Sequence, residues 1–366
     1  MKTAQHSVSM DSPQASAVPT AAPSRGREAS GRPRFDAPVP DGGYLWWYLD
    51  ALSDDGAHGL SIIAFVGSVF SPYYAWARAR GGGVAPAEQF CALNVALYGA
   101  AGQRWTMTER GRSSIARTAE RYTIGPSSIA LEGDEVVVRF DEWAAPIPRR
   151  VRGEVRLKPG AWCGFVAGLD AAGRHRWGPM APCARIEVEL DAPRVRWSGP
   201  AYMDSNEGDD PIDHAFHDWD WSRARMRDGS TTVIYDVRAP RSPGPSYSTA
   251  TPRLRDTTRT GLQAPESRVI AQRFLRDGRS EPFEAPPRQE LPVSPIWRIE
   301  RGVRTDTHHP ARVLETLEDT PFYARSTLSS SVLGEPVVAI HESLSLPRLR
   351  SLPVRLMLPW KMPRRG

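Results

Sequence analysis

Short apolar or alternating runs recur along the chain from about residue 44, and glycine- or proline-containing turns separate them. In residues 186–190 (IEVEL) the apolar side chains alternate with acidic ones, which is typical of a β-strand with one face in water. Comparable patterns predict strands at 60–66, 91–98, 136–140, 153–157, 184–190, 194–197, 231–237, 297–299 and 337–341. Helical patterns are rare, and the best of them, at 113–122, is short.

Many short strands with frequent turns favour an all-β sandwich or barrel over a parallel α/β sheet. We predict two antiparallel β halves with few short helices, at 38–192 and 193–366, joined by a seam near 190–200. Residues 1–37 are rich in Ser, Ala, Pro and Arg, so they bury too little apolar surface to fold, and we predict a disordered N-terminal tail. A second low-complexity stretch, 239–265, predicts a long exposed loop.

The composition is that of a globular protein, with one unusual feature, its high tryptophan content. Hydrophobic residues make up 40% of the 366 residues and charged residues 24%, which is typical of a globular protein. No stretch reaches the roughly 18 uninterrupted apolar residues of a membrane span. The 12 tryptophans are unusual, and so many indole rings favour a wide apolar cavity, an interface or a membrane-surface belt.

Charge and cysteine usage exclude other classes. A net charge of +5, with arginines interspersed among acids, argues against a nucleic-acid partner. Cys91, Cys163 and Cys183 are odd in number and lack metal-type spacing, so we expect small core residues in a reducing compartment. No apolar segment precedes Asp11, so secretion is not indicated.

Several stretches, taken in order, resemble the carotenoid 1,2-hydratase family, also called hydroxyneurosporene synthases. They are GGYLWWYLDALSDDGAHGLSIIAFVGSVFSPYYAWAR (42–78), CALNVALYG (91–99), RWTMTERGR (104–112), IGPSSI (124–129), RVRGEVRL (150–157), HRWGPMAP (175–182), SGPAYMDSNEGDDPI (198–212), WDWSRA (219–224) and HESLSLPR (341–348). The tail and the 239–265 segment depart from that pattern. The resemblance implies a lipocalin-like or tocopherol-cyclase-like β fold. It also implies hydration of the C1=C2 bond of acyclic carotenoids such as neurosporene and lycopene, with neither a cofactor nor a metal.

Hydration of a trisubstituted alkene needs a strong acid that is still protonated, a shielded tertiary cation and a positioned water. A buried carboxylic acid meets the first need and aromatic faces the second. Tyr202 and Asp204 are two apart after a predicted strand, so they share one face. We predict that Asp204 donates the proton and that Tyr202 is its hydrogen-bond partner or a ring facing the cation. Asn206 continues this face and is the candidate that places the water. The alternative is that Asp204 caps a turn, because the sequence DSNEG is turn-rich.

His175 and Trp177 repeat the same spacing in a second stretch that resembles the family. We predict that His175 holds Asp204 in its working protonation state or activates water, and that Trp177 stabilises the cation. The alternative is a surface turn followed by a core tryptophan.

Other aromatic pairs are candidates for binding the substrate: Trp46, Trp47, Tyr73, Tyr74, Trp219 and Trp221. Core packing explains each of them as well. In residues 218–221 (DWDW), period 2 places both tryptophans on one face and both aspartates on the other, where we expect solvated acids. The histidines and acids at 209–217 also suit a metal site, but acid-rich turns are commoner and we predict none.

The C-terminal stretch 344–366 combines leucines and Trp360 with six cationic residues. Apolar anchors beside cations suit an anionic membrane surface, whereas a final core strand with a basic tail is the alternative. Four prolines argue against one continuous amphipathic helix. A carotenoid resides in the bilayer, so we predict a cytoplasmic enzyme attached peripherally to the inner, photosynthetic membrane, with other carotenoid-biosynthesis enzymes as candidate partners.

Two further functions are also consistent with the sequence. A carotenoid-binding or transfer protein would share the cavity but would gain nothing from a buried carboxyl. A cyclase acting on an isoprenoid quinol would share the protonation step but capture the cation with an internal oxygen.

Overall fold

A computed structural model describes residues 24–100, 102–240 and 267–365. Its strands are β1 (Tyr44–Leu52), β2 (His58–Val66), β3 (Cys91–Gly99), β4 (Arg104–Arg110), β5 (Ile115–Arg117), β6 (Arg121–Ile124), β7 (Ser127–Glu132), β8 (Glu135–Trp143), β9 (Arg150–Lys158), β10 (Ala167–Gly168), β11 (His175–Ala192), β12 (Arg194–Gly208), β13 (Asp218–Arg225), β14 (Thr231–Arg238), β15 (Arg268–Phe274), β16 (Ser280–Pro282), β17 (Arg288–Leu291), β18 (Arg301–Arg304), β19 (Arg312–Asp319), β20 (Tyr323–Val332), β21 (Glu335–Ser345) and β22 (Arg364–Arg365). Its helices are α1 (Pro72–Arg80), α2 (Ile212–Ala215), α3 (Leu346–Arg350) and α4 (Leu352–Lys361). The predicted all-β class with few short helices is confirmed.

The described strands form one large sheet, one smaller sheet and a two-stranded ribbon. The large sheet has the order β22-β4-β3-β2-β1-β12-β11-β9-β8-β7-β6-β5, with β10 paired to β11. It curls on itself: the Tyr122 hydroxyl on β6 donates to the Phe65 carbonyl on β2, and Arg110 on β4 pairs with Glu142 on β8 at 2.8 Å. The smaller sheet has the order β16-β15-β14-β13-β21-β20-β19, and β17 pairs with β18 beside it.

Alternation along β1 divides the core into two layers. Leu45, Trp47 and Leu49 face a cluster inside the curled large sheet. Tyr44, Trp46 and Tyr48 face the opposite way, toward a second cluster that the smaller sheet completes. The second cluster lies between the sheets, and it is the layer that holds the candidate site.

The N-terminal segment departs from the prediction of a disordered tail over residues 1–37. Residues 1–23 lie outside the described residues, but from Ser24 onward the chain packs on the large sheet. Phe35 is fully buried against Trp47, whose indole N–H donates to the Gly26 carbonyl at 2.9 Å. The Arg27 guanidinium is also buried and donates to three backbone carbonyls. The low hydrophobic content of the segment does not predict this packing, because the packing depends on one aromatic ring and one arginine.

Two local predictions are wrong. The predicted helix at 113–122 is a three-residue 3-10 turn followed by β5 and the start of β6. The predicted strand at 297–299 lies in a turn instead, and Asp319 accepts the backbone N–H of Trp297 there. The other predicted strands fall within observed ones.

The sheets also divide the chain later than predicted. The predicted seam at 190–200 is the turn between β11 and β12, which are neighbours in the large sheet. The chain enters the smaller sheet only at β13, after α2. Of the predicted loop at 239–265, residues 241–265 lie outside the described residues. In the described part of the chain, no helix is long and apolar enough to cross a bilayer.

Candidate active site

A cavity lies between the two sheets and contains about 960 Å³ of space free of protein atoms, part of it open to solvent. Strands β1, β2, β11 and β12 of the large sheet line it from one side, and β13, β14 and β21 from the other. Aromatic rings dominate the lining: Trp46, Tyr48, Phe65, Phe70, Trp105, Trp177, Trp219, Trp221, Tyr235, Phe322 and Tyr323. Five of the 12 tryptophans thus surround one apolar space.

Asp204 is the buried acid of this cavity. It lies in the C-terminal half of β12, where it pairs in register with Tyr48 of β1 and Pro179 of β11. Its Oδ2 accepts the Trp177 indole N–H at 2.8 Å and the Tyr202 hydroxyl at 2.9 Å. Its Oδ1 is buried and has no hydrogen-bond partner among the described residues. The predicted bond between Tyr202 and Asp204 is therefore present.

The surroundings of Asp204 keep a substantial fraction of it protonated near neutral pH. Burial raises the pKa of the carboxyl to about 7, because the cavity solvates its charged form poorly. The hydrogen bonds from Trp177 and Tyr202 oppose the rise, since both stabilise the carboxylate. Because both donors use Oδ2, the proton belongs on Oδ1, the oxygen without a partner.

The second predicted feature of this face is Asn206, which also lines the cavity. It lies two residues beyond Asp204 on β12 and opposite Trp46 and Trp177 in the sheet. Its Oδ1 is buried without a hydrogen-bond partner in the described part of the chain. A free carbonyl oxygen in an apolar cavity is a site for a hydrogen-bond donor such as water.

His175 lies beside Tyr44 in the buried aromatic core. It is fully buried, its Nδ1 lies 2.9 Å from the Tyr44 hydroxyl, and its ring packs against Phe216. It is not part of the cavity lining, and its hydrogen bond goes to Tyr44 rather than to Asp204. Burial lowers its pKa to about 4, so the ring is neutral. Among the described residues His175 forms no hydrogen bond to Asp204, and its Nε2 is buried without a partner. Its predicted role in activating water stays a prediction.

Three of the six aromatic candidates line the cavity and three do not. Trp46, Trp219 and Trp221 belong to the lining. Trp47 faces the other layer, because side chains alternate along β1 and Trp47 directly follows Trp46. Tyr73 and Tyr74 lie on α1, outside the cavity, and the Tyr74 hydroxyl donates to the Gly43 carbonyl.

The acidic residues near 209–220 are held by arginines rather than solvated. Asp209 pairs with Arg176 at 3.1 Å. Asp220 is buried, contrary to the prediction of a solvated acid, and pairs with Arg288 at 2.5 Å and Arg238 at 2.9 Å. Among the described residues, no group of three or more His, Cys, Asp or Glu side chains is arranged to hold a metal ion.

A second carboxyl of the cavity, Glu342, was not predicted as a site residue. It lies on β21, and its Oε1 accepts a hydrogen bond from the Tyr48 hydroxyl at 2.9 Å. The same oxygen forms an ion pair with the Arg325 guanidinium. Arg325 also pairs with Asp50 at 2.7 Å, and Asp50 pairs with Arg223 at 2.6 Å. Glu342 falls within the family-like stretch HESLSLPR, but its partners are distant in sequence and no local spacing reveals them.

An outer cleft adjoins the cavity. Trp105, Glu318, Thr320 and Lys361 line both spaces. The Lys361 ammonium lies 4.5 Å from the centre of the Trp105 ring, at the end of α4. The cavity is therefore bounded at this side by a wall of four side chains.

Comparisons with known proteins agree with the sequence resemblance. The family profile described as Carotenoid hydratase CrtC matches residues 62–251 and 254–366. The chain is 60% identical over 336 residues to the acyclic carotenoid 1,2-hydratase of Rubrivivax gelatinosus, covering 92% of this chain and 77% of that protein. It is 50% identical over 341 residues to the acyclic carotenoid 1,2-hydratase of Thiocapsa roseopersicina, covering 93% of this chain and 78% of that protein.

A solved structure shares the fold. An AttH-like protein from Nitrosomonas europaea superposes with a TM-score of 0.51 at 13% identity, covering 82% of this chain and 92% of that one. At this identity the likeness concerns the arrangement of the strands alone.

Proposed function

Because the chain belongs to the carotenoid hydratase family, we propose that it adds water across the terminal C1=C2 bond of an acyclic carotenoid such as neurosporene or lycopene. The product is a 1-hydroxy carotenoid. The observation that carries the proposal is the partnerless Oδ1 of Asp204, a buried acid in an aromatic cavity.

The first step is proton transfer from Asp204 to C2. The proton on Oδ1 has no competing acceptor among the described residues, so it is available to a weakly basic alkene. As the proton leaves, Trp177 and Tyr202 stabilise the new carboxylate through their bonds to Oδ2. The two donors thus strengthen the acid at the moment when it reacts.

The tertiary cation at C1 forms among aromatic faces. Trp177, Trp219, Trp221 and Tyr235 line the cavity around Asp204. Ring faces attract a cation without offering a nucleophile, so they stabilise it until water arrives. Asn206 Oδ1 then accepts a hydrogen bond from the attacking water and so orients a lone pair of the water oxygen toward C1.

The test is an anaerobic incubation of the purified protein with lycopene in liposomes, without any cofactor. We expect a product heavier by one water. Asp204→Asn should bind lycopene but lower the hydration rate by about 100-fold or more, because the amide is not an acid. A fully active Asp204→Asn protein would remove Asp204 from the mechanism, and a wild-type protein that binds lycopene unchanged would indicate a carrier.

We also propose that α4 seats the protein on an anionic membrane. Leu352, Leu356 and Trp360 recur at every fourth position of α4 and are 67%, 58% and 77% exposed. The opposite face of the helix is buried, and Leu358 and Lys361 line the cavity. The cationic side chains of this stretch add attraction to anionic headgroups. A helix with one face in the bilayer and the other on the cavity would bring the substrate to the site.

A flotation assay at low salt with phosphatidylglycerol vesicles tests this proposal. Replacing Leu352, Leu356 and Trp360 by serine should abolish flotation. The matched control replaces Leu314 and Val338, which are each 57% exposed on the smaller sheet, and it should float like the wild type. Equal flotation of both variants would rule out α4 as the membrane contact.

A further inference from the structure

Glu342 and Asp204 line the same cavity from opposite sheets. Asp204 lies on β12 of the large sheet, and Glu342 lies on β21 of the smaller one. In the smaller sheet Glu342 pairs in register with Trp221 on one side and Arg325 on the other. The Glu342 side chain is 14% exposed, although its ion-pair partner Arg325 is almost fully buried.

The two carboxyls have opposite kinds of partners. Among the described residues, Asp204 accepts hydrogen bonds only from neutral donors, an indole and a phenol. Glu342 forms an ion pair with Arg325, which Asp50 in turn holds in place. The Tyr48 hydroxyl also donates to Glu342 at 2.9 Å. Burial raises the pKa of Glu342, and the ion pair with Arg325 and the hydrogen bond from Tyr48 oppose that rise by stabilising the carboxylate form. Asp204 has no charged hydrogen-bond partner among the described residues.

The mechanism proposed above leaves one proton without an acceptor. When water bonds to the C1 cation, its oxygen becomes positively charged and must lose a proton. Asn206 accepts a hydrogen bond but is too weak a base to take that proton. Asp204 lies on the side from which the first proton came, whereas Glu342 faces the cavity from the other sheet.

We propose that Glu342 is the base that removes a proton from the attacking water. This inference rests on the proposed function. The O–C1 bond forms with an electron pair of water, one O–H bond breaks, and that proton moves to the Glu342 carboxylate. Each turnover thus leaves Asp204 ionised and Glu342 protonated, and transfer of one proton back to Asp204 through cavity water restores the enzyme. The net reaction consumes one water and no other reagent.

Deuterium exchange separates this role from that of Asp204. In D2O, Glu342→Gln should still let Asp204 deliver deuterium to C2, but water capture should slow by about 100-fold or more. The cation then returns a proton from C2 or a neighbouring methyl group to Asp204. Lycopene recovered from Glu342→Gln should therefore contain deuterium without having been hydrated. Asp204→Asn should yield neither product nor deuterium, and wild-type enzyme at low conversion should yield product with little deuterium in the recovered substrate.

Controls keep the result interpretable. Glu335→Gln makes the same change on the same strand, outside the cavity, and should hydrate lycopene like the wild type. If Glu342→Gln fails to fold, Glu342→Asp replaces it, and its shorter carboxylate should slow hydration and let deuterium accumulate in the substrate.

Three results have distinct meanings. Hydration by Glu342→Gln at the wild-type rate would overturn the inference. A folded, lycopene-binding Glu342→Gln protein that neither hydrates nor exchanges would also overturn it, because Glu342 would then act before the cation forms. Wild-type enzyme that gives neither product nor deuterium would instead refute the proposed function itself.

Discussion

The two oxygens of Asp204 differ in their surroundings. Oδ2 accepts two hydrogen bonds, and Oδ1 accepts none from the described residues. A carboxyl in an apolar site is normally a weak acid, because its charged form is poorly solvated. Here Trp177 and Tyr202 offset part of that cost on the oxygen that does not carry the proton. Burial thus favours the protonated form of Asp204, and the two hydrogen bonds stabilise its carboxylate when the proton leaves.

The hydration rate should fall at alkaline pH. Asp204 reacts as the protonated acid, and burial raises its pKa to about 7. Above that pH the rate should fall about tenfold for each pH unit. Hydration rates measured across a pH series on lycopene liposomes would check this alkaline limb of the pH–rate profile. A rate that stays constant up to about pH 9 would contradict an acid with this pKa.

Removal of one donor to Asp204 should move this limb. Trp177→Phe deletes the indole N–H that stabilises the carboxylate, so the pKa of Asp204 should rise and the limb should shift to higher pH. The weaker acid should also lower the maximal rate. Trp221→Phe is the matched control, because the Trp221 N–H has no hydrogen-bond partner among the described residues. An equal shift in both variants would show that the ring, not the hydrogen bond, sets the pKa.

Sequence reasoning predicted the residues of this site that share one strand face. The i, i+2 spacing correctly placed Tyr202 beside Asp204, and Asn206 lines the cavity with it. The same spacing did not place His175 beside Asp204, because the His175 ring packs with its Nδ1 2.9 Å from the Tyr44 hydroxyl. It missed Glu342 because the Tyr48 hydroxyl that binds it lies 294 residues away along the chain. Spacing within a strand is local information, whereas pairing across two sheets is not.

At the scale of elements, strands were predicted better than segments that depend on tertiary contacts. Alternation is visible in the sequence, so eight of the nine predicted strands fall within observed ones. The stretch 113–122 has a helix-like pattern, but its strands pair with neighbours in the large sheet and tertiary packing overrides the local preference. Single aromatic residues are ambiguous in the same way: Trp46 and Trp47 are adjacent, yet only Trp46 reaches the cavity.

The N-terminal segment should contribute to stability through Arg27. Its guanidinium donates to the carbonyls of Cys163, Phe165 and Pro179 at 2.9–3.1 Å. Arg27→Ala would leave these buried acceptors without a donor, so we expect the free energy of unfolding to fall by about 2–5 kcal/mol. Urea denaturation followed by tryptophan fluorescence would measure it. Arg34→Ala, which removes only an exposed pair with Asp36, should unfold like the wild type. No difference between the two variants would mean that the segment does not contribute to stability.

At the scale of the whole molecule, the cavity exists only because the two sheets face each other. Asp50 lies on β1 of the large sheet, and its carboxylate pairs with Arg223 of β13 and Arg325 of β20, both in the smaller sheet. All three side chains are buried. One carboxylate therefore joins the sheets beside the cavity, and through Arg325 it also fixes the position of Glu342.

Loss of the Asp50 carboxylate should lower the stability of both sheets together rather than of one sheet. Asp50→Asn would leave two buried arginines with less compensating charge, so we expect the free energy of unfolding to fall by about 3–5 kcal/mol. Because the pairs connect the sheets, tryptophans in both should report the same lowered urea midpoint. Asp54→Asn removes an exposed pair with Arg185 and should leave the midpoint unchanged. If fluorescence and circular dichroism gave separate transitions for Asp50→Asn, the sheets would unfold independently once this link is weakened. An unchanged midpoint would show instead that apolar packing between the sheets, and not the buried charges, holds the cavity together.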